Sequence, residues 1–251
     1  MSGHSKWAGI KHKKAVVDAK RGQVFTRASR EITIAAKEGG ADAEGNFRLR
    51  LAVQKAREAN MPADKIQAAI DRGTGAAKGE SLEELRYEGF GPAGVAIIVD
   101  AVTDNRNRTA PAIRHAFSKH GGSLAETNAV AWMFERKGLI TVAAGARDPE
   151  EVGLAAIEAG AEDVQVEGEA VEVTTEPNSL EGVRQALESL GVTVENAEVT
   201  MQPNQTVPVE EDRVAAVLRL LEALEEDDDV QQVYANFDIP TDVLERVSAG
   251  V

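Results

Sequence analysis

Residues 137–202 place the strongest constraint on what this chain can fold into. Strand-like and helix-like stretches alternate there in a fixed order: strand (Leu139 to Ala143), helix (Pro149 to Ala159), two strands (Asp163 to Val166, Ala170 to Thr175), helix (Leu180 to Leu190) and strand (Thr193 to Met201). This β-α-β-β-α-β order is the ferredoxin-like split unit, complete in itself. It leaves the helix Asp212 to Glu225, with Val214, Val217, Leu218 and Leu221 on one face, and the strand Val230 to Phe237 without partners. Upstream, Leu82 to Glu135 supplies strands at Leu85 to Gly89, Val95 to Ala101 and Val130 to Glu135. It also supplies a helix bearing Ile113, Ala116 and Phe117 that closes at Gly121-Gly122. Each remainder lacks what the other has. Joining them predicts a second split α/β unit interrupted by the first.

Before residue 75 the apolar spacing is helical. Phe25, Ala28, Ile32 and Ala35 form one buried stripe ended by Gly39-Gly40, and Leu49, Ala52, Val53 and Ala56 form a second after Asn46. A third helix begins with Pro62 at N1, buries Ile66, Ala69 and Ile70, and stops at Gly73. The fold class is therefore α+β and multidomain: an N-terminal three-helix module followed by two ferredoxin-like split β-α-β domains, one inserted in the other. The expected boundaries are 1–78 for the basic tail and helical module, 79–134 plus 205–251 for the discontinuous α/β domain, and 135–204 for the inserted acidic one. Thr74 to Ser81 reads as a linker, because Lys78 is not followed by the Ser or Thr of a phosphate-binding loop. Gly89 to Gly94 reads as a hairpin connection.

Charge divides along the same line. Residues 1–78 hold 16 Lys+Arg against 8 Asp+Glu, whereas residues 79–251 hold 12 against 34, within a whole-chain net charge of -14. A basic end on an acidic body suits a polyanion held at one end with the body turned outward. The first thirty residues concentrate the effect: Lys6, Lys11, Lys13, Lys14, Lys20, Arg21, Arg27 and Arg30 stand against Asp18 alone, with His4 and Trp7 among them. An aromatic among cations suits base stacking together with phosphate contact. The plain alternative is a solvated basic tail.

Other classes are weakly supported. With no cysteine, the chain has no disulfide framework, no thiolate chemistry and no sulfur-ligated metal. Its longest strongly apolar run, Val95 to Val99, is far too short to cross a bilayer, so a cytoplasmic protein with no membrane partner is expected. His115 and His120 lie five apart and do not share a helix face well enough for paired metal ligation. No carboxylate pair accompanies a candidate nucleophile, so neither an enzyme, a cofactor nor a small-molecule substrate is expected.

Several motifs taken together resemble one family. Gly3-His4-Ser5-Lys6-Trp7, Lys11-His12-Lys13-Lys14, Asp18-Ala19-Lys20-Arg21-Gly22, Asn60-Met61-Pro62 and Thr103-Asp104-Asn105-Arg106-Asn107-Arg108-Thr109 leading to Arg114-His115-Ala116-Phe117 resemble the YebC/PmpR family over essentially the whole chain. The resemblance implies three domains, with one α/β domain inserted into another. It also implies nucleic-acid binding without catalysis: bacterial members are described as DNA-binding transcriptional regulators, some as ribosome-associated factors, and mitochondrial relatives as translational activators for a cytochrome oxidase subunit.

The candidate contacts are therefore His4, Lys6, Trp7, Lys11, His12, Lys13, Lys14, Lys20 and Arg21 in the tail. Arg27, Arg30, Arg48, Arg50, Lys55 and Arg57 form a second basic surface on the helices, and Asn105, Arg106, Asn107 and Arg108 a third group before a helix N-terminus. For the helix arginines the alternative is an ordinary solvated face, and for the Asn-Arg loop a simple turn. The expected partner is nucleic acid, either DNA or ribosomal RNA, with the acidic domains open to the ribosome or another protein. The link Gly39 to Gly45 is longer and more acidic than a helix-turn-helix reader requires.

Overall fold

The computed structural model describes residues 21–77 and 81–248. Asn46 shows how the helical module is specified locally. Its side-chain oxygen accepts the Leu49 N–H and so caps α2 (Phe47–Glu58), while its amide donates to the Ala35 and Gly40 carbonyls at the end of α1 (Arg21–Gly39). One buried amide thereby joins the end of one helix to the start of the next. α3 (Ala63–Gly73) follows a turn in which Asn60 takes a left-handed φ of 61°. Pro62 is the N-cap of α3 rather than its first helical residue, so the helix starts one residue later than the spacing predicts. Ile32, Ala35, Leu49, Ala56, Ile66 and Ala69 form the shared core.

The first sheet begins with the hairpin β1 (Glu83–Phe90) and β2 (Ala96–Thr103), joined through a tight turn at Pro92–Gly94. α4 (Arg106–Lys119) then crosses to β3 (Ser123–Leu124), a two-residue strand beside β1. The strand expected over Val130 to Glu135 does not form as one element. Ala131–Met133 make a 3-10 turn, and Phe134 opens β4 (Phe134–Ala143), which belongs to the other sheet. The cause is the buried carboxylate of Glu88, which accepts the N–H groups of Asn128, Val130 and Ala131 and so bends a segment that would otherwise pair in a ladder.

The second sheet continues through α5 (Pro149–Glu158), β5 (Asp163–Glu167), β6 (Ala170–Thr175), α6 (Leu180–Ser189) and β7 (Thr193–Pro203). Its order, β5-β6-β4-β7, with every neighbour antiparallel, is that of a ferredoxin-like sheet. β4 and β7 pair from Phe134↔Pro203 to Ala143↔Thr193, so the chain enters and leaves this sheet at adjacent points. The remaining elements are β8 (Val207–Pro208), α7 (Glu211–Glu225), β9 (Val230–Ala235), β10 (Phe237–Asp238) and α8 (Thr241–Ser248).

β9 pairs with β2, completing the order β3-β1-β2-β9 around the central hairpin. α4 and α7 cover one face of this sheet, burying Ile97, Val99, Phe117 and Leu221 together. Each such side chain contributes roughly 1.5–3 kcal/mol. The other face carries Ala96, Ile98 and Tyr234 and receives Val130 and Phe134 from the connection to the second sheet. α8 and the parallel β8–β10 pair were not expected from the sequence, although Leu244 is fully buried in the first-sheet core.

Candidate nucleic-acid interface

His4, Lys6, Trp7, Lys11, His12, Lys13, Lys14 and Lys20 lie outside the described residues, and Arg21 is described only as the first backbone position of α1. The helix cations can be placed individually. Arg27 and Arg30 leave α1 toward the loop that follows α7. There the Arg27 guanidinium donates to the carbonyl oxygen of Glu225, and Arg30 donates to that of Asp228 and pairs with the Asp229 carboxylate at 2.9 Å. Unsatisfied carbonyls at a helix C-terminus carry partial negative charge, which is why cations collect at the end of α7. Burial lowers the pKa of Arg27, opposed by the nearby Asp228 and Asp227.

Arg48 on α2 bonds Glu31 and Glu38 at 2.8 Å each and also Glu84 on β1, and Lys55 pairs with Glu198 on β7 at 2.6 Å. Burial works against the Arg48 charge, but its carboxylate bonds outweigh this and raise its pKa. Arg50 lies 5.5 Å from the Phe47 ring centroid and donates to the Glu44 carbonyl. Arg27, Arg30, Arg48, Arg50 and Lys55 are thus engaged within the protein and do not form the open basic surface the spacing suggests. Arg57 differs: it is exposed and has no ion pair among the described residues.

The Asn-Arg loop divides in the same way. Asn105 is the N-cap of α4, its side chain accepting the Arg108 N–H at 3.1 Å, so its first role is structural. Arg108 binds Asp104 at 2.7 Å and Asp229 at 2.9 Å, and these bonds raise its pKa. Arg106 and Asn107 are exposed in the first turn of α4, and Arg106 has no ion pair among the described residues.

Two of the predicted groups therefore meet on one carboxylate. Asp229 is 3% exposed and accepts Thr109 Oγ1 at 2.7 Å and Thr103 Oγ1 at 3.1 Å as well as Arg30 and Arg108. Burial alone would raise its pKa, but the hydroxyl and arginine donors more than offset this and leave it below the usual range. The open cleft here is lined by Arg30, Arg108 and five carboxylates, Asp104, Glu226, Asp227, Asp228 and Asp229. Such a cleft repels phosphate. Through the Arg30–Asp229 pair it ties the helical module to the loop that precedes β9 of the first sheet.

Two features escaped the sequence reading. The short turn in the helical module joins α2 to α3, not α1 to α2, and α3 exposes Asp64, Lys65 and Gln67 along its first turns. The other is Trp132, which is 69% exposed. Lys65 belongs to no motif that could have singled it out, whereas an aromatic inside an uncharged run was a visible signal. Among the described residues no group of His, Asp or Glu is placed to hold a metal ion, and no helix is long and apolar enough to cross a membrane.

A basic helical module attached to two acidic sheet units defines a multidomain α+β protein, on whose surface Arg57 and Arg106 are exposed with no ion pair among the described residues. Residues 5–76 match the TACO1/YebC protein N-terminal domain and residues 82–237 the TACO1/YebC second and third domain. The chain belongs to the TACO1/YebC family. It is 56% identical over 248 residues to a probable transcriptional regulatory protein of Natranaerobius thermophilus, covering 98% of this chain and 99% of the relative. A protein of the same description from Rubrobacter xylanophilus is 54% identical over 249 residues, covering 99% and 100%. The crystal structure of a conserved hypothetical protein from Aquifex aeolicus has a TM-score of 0.81 and 49% identity, covering 90% of this chain and 93% of that one.

Proposed function

We propose that this protein is a non-enzymatic, cytoplasmic, nucleic-acid-binding regulator of gene expression that acts on DNA as a transcriptional regulator. The observation that supports this is the charge separation: 16 cations against 8 acids in residues 1–78, and 12 against 34 in the rest. The naming of its relatives as probable transcriptional regulatory proteins agrees with a regulatory role. In this reading His4, Lys6, Trp7, Lys11, His12, Lys13, Lys14, Lys20 and Arg21 make the principal contacts, joined by Arg57, Lys65, Arg106 and Asn107 from the folded surface. Arg27, Arg30, Arg48 and Lys55 contribute by fixing the module on the acidic body.

The test is the salt dependence of binding. Each phosphate neutralised contributes about -0.9 to the slope of log K against log salt on duplex DNA and about -0.7 on single strands. Replacing Lys11, Lys13 and Lys14 together by Ala is expected to weaken binding and flatten the slope by about two units or more on duplex. An unchanged slope removes the tail from the site.

Ribosomal RNA is the second reading, which would make the protein a ribosome-associated translation factor, because α3, the helix placed where a DNA reader would be, is poorly suited to reading base edges in a groove. α3 follows a short turn as a DNA-reading helix does, yet it offers Asp64 in its first turn, where phosphate and base acceptors would be repelled. Crosslinking in growing cells distinguishes the targets: discrete promoter DNA supports the regulator, and one ribosomal RNA site lost in the triple variant supports the translation factor.

A further inference from the structure

Trp132 is the largest hydrophobic side chain left exposed among the described residues, and the fold takes trouble to keep it there. Its ring is immobilised from within, because the indole N–H donates to the Ala129 carbonyl oxygen at 3.1 Å. The turn that carries it is fixed in turn by Glu88. This buried carboxylate accepts the Asn128, Val130 and Ala131 N–H groups at 2.8 Å each, and the Glu88 carbonyl accepts the Ala125 N–H. Asn128 completes the turn in a left-handed conformation with φ 68°. A charge held in the interior by three backbone donors is a costly way to shape a surface loop, and what the loop presents is a flat indole face.

The surroundings narrow the occupant. Residues 127–134 and 199–209 contain no charged side chain, in a body where acids outnumber bases 34 to 12. The fold brings these two runs together. Phe134 pairs with Pro203, the Asn204 N–H donates to the Met133 carbonyl at 2.8 Å, and the Asn204 amide reaches the Trp132 carbonyl at 3.4 Å. The result is a surface built from two uncharged runs, flanked in sequence by the exposed Glu126 and Glu135, with a rigid aromatic plate and exposed amides at Asn128 and Asn204. Because the indole N–H already has an acceptor, a ligand meets the ring through its π face.

We infer that Trp132 is a stacking platform for one unpaired nucleobase of the nucleic acid that the basic tail binds, with Asn128 and Asn204 available to the base edge. This rests on the nucleic-acid reading above. A base is planar and presents a π-face to the indole plate, its edge groups match amides, and the two uncharged runs accept it where the surrounding acids would repel its phosphates.

Trp7 and Trp132 are the only tryptophans in the chain, which makes the site directly observable. In full-length protein carrying Trp7→Phe, the emission is that of Trp132 alone. Titration with a fluorescently labelled single-stranded oligonucleotide reads total binding by anisotropy and stacking by Trp132 quenching. The expected result is quenching by the single strand, little quenching by the blunt duplex of the same sequence, and roughly 5- to 150-fold weaker single-strand binding for Trp132→Ala, the range one base–aromatic stack provides. Trp132→Phe should retain part of that affinity, and an unchanged melting temperature of both variants confirms that the fold is intact. Binding by anisotropy with no quenching and no effect of Trp132→Ala overturns the platform and leaves nucleic-acid binding standing. Failure of single strand, duplex and structured RNA alike to bind the protein with Trp7 intact, read by anisotropy, overturns the nucleic-acid reading itself. Quenching by a proline-rich peptide but by no oligonucleotide overturns the platform in favour of a protein ligand.

Discussion

Asp229 decides whether Arg30 and Arg108 are primarily structural. Its side chain holds four donors from three parts of the chain: Arg30 on α1, Thr103 at the end of β2, and Arg108 and Thr109 on α4. Replacing it by Ala removes the acceptor from all four. The two threonine hydroxyls keep other acceptors, since Thr109 Oγ1 lies 3.1 Å from the Asn105 carbonyl and 2.9 Å from Thr103 Oγ1, so each loses about 1 kcal/mol. Arg108 is half exposed and retains Asp104, so its share is at most about 1 kcal/mol. Arg30 is mostly buried and is left with a carbonyl in place of a carboxylate, which costs about 1.5–3 kcal/mol. Asp229→Ala should therefore lose about 3.5–6 kcal/mol at pH 7, overlapping the range of about 3–5 for breaking a buried pair by removing one partner.

Urea denaturation of both proteins measures this, and pH supplies a second check. The folded carboxyl has a pKa below its unfolded value of about 3.9. Its stabilisation is therefore present in full above the unfolded pKa and disappears as pH falls through the folded one. The gap between wild type and Asp229→Ala should be constant from pH 7 to about pH 5 and should narrow below about pH 4. A loss under 1 kcal/mol at pH 7, or a gap that does not narrow in acid, refutes the account and returns Arg30 to the list of cations open to phosphate.

Three further outcomes follow from the same geometry. Glu88→Gln places an amide donor against backbone donors and should cost about 2–3 kcal/mol by chemical denaturation, an effect that fades below about pH 4.3 because the wild-type carboxyl, held below its usual range by those N–H groups against the effect of burial, then protonates as well. Gly73→Ala should cost about 1–3 kcal/mol, because the new Cβ would lie 2.3 Å from the Thr33 carbonyl oxygen and 2.8 Å from Ala36 Cβ, so α1 and α3 must separate; an unchanged urea midpoint would contradict the close packing. Arg57→Ala should reduce the salt slope of nucleic-acid binding by about 0.9 on duplex DNA and leave the melting temperature unchanged, whereas Arg48→Ala should lower the melting temperature and leave the slope unchanged.

The second sheet was legible because its elements are long, periodic and in the order of a known unit, and the observed strands depart from the expected ones mainly at their ends. The first sheet was harder for a specific reason. Val130 to Glu135 has the composition of a strand, but what it does is set by Glu88, more than forty residues earlier, whose carboxylate takes the N–H groups that a ladder would need. No local pattern signals that. α8 was hidden by its eight-residue length behind Pro240, too short for a helical period to stand out.

Among the candidate contacts, the sequence offered the cations as a class but could not say which were exposed and which were paired within the protein. Arg48 and Arg57 lie nine apart on one helix and look alike in the sequence. Only the fold shows that Glu31, Glu38 and Glu84 surround the first and that no described carboxylate reaches the second.

That division bears on how an acidic protein can hold a polyanion at all. Ion pairs at 2.6–2.9 Å between the helical module and the body, Lys55–Glu198 and Arg30–Asp229, fix the basic module at one place on a body that repels phosphate. Cations so engaged add little to binding, because a phosphate would have to displace a carboxylate already in contact. On the nucleic-acid reading proposed above, affinity would then come from the unpaired cations and the tail, and it would be screened by salt over the roughly 8 Å Debye length at physiological ionic strength. Raising the salt weakens phosphate contact and the exposed domain-fixing pair together, while the buried Asp229 pair is screened least. On the proposed reading the body should therefore stay in place on the helical module over the range of salt in which nucleic acid would be released.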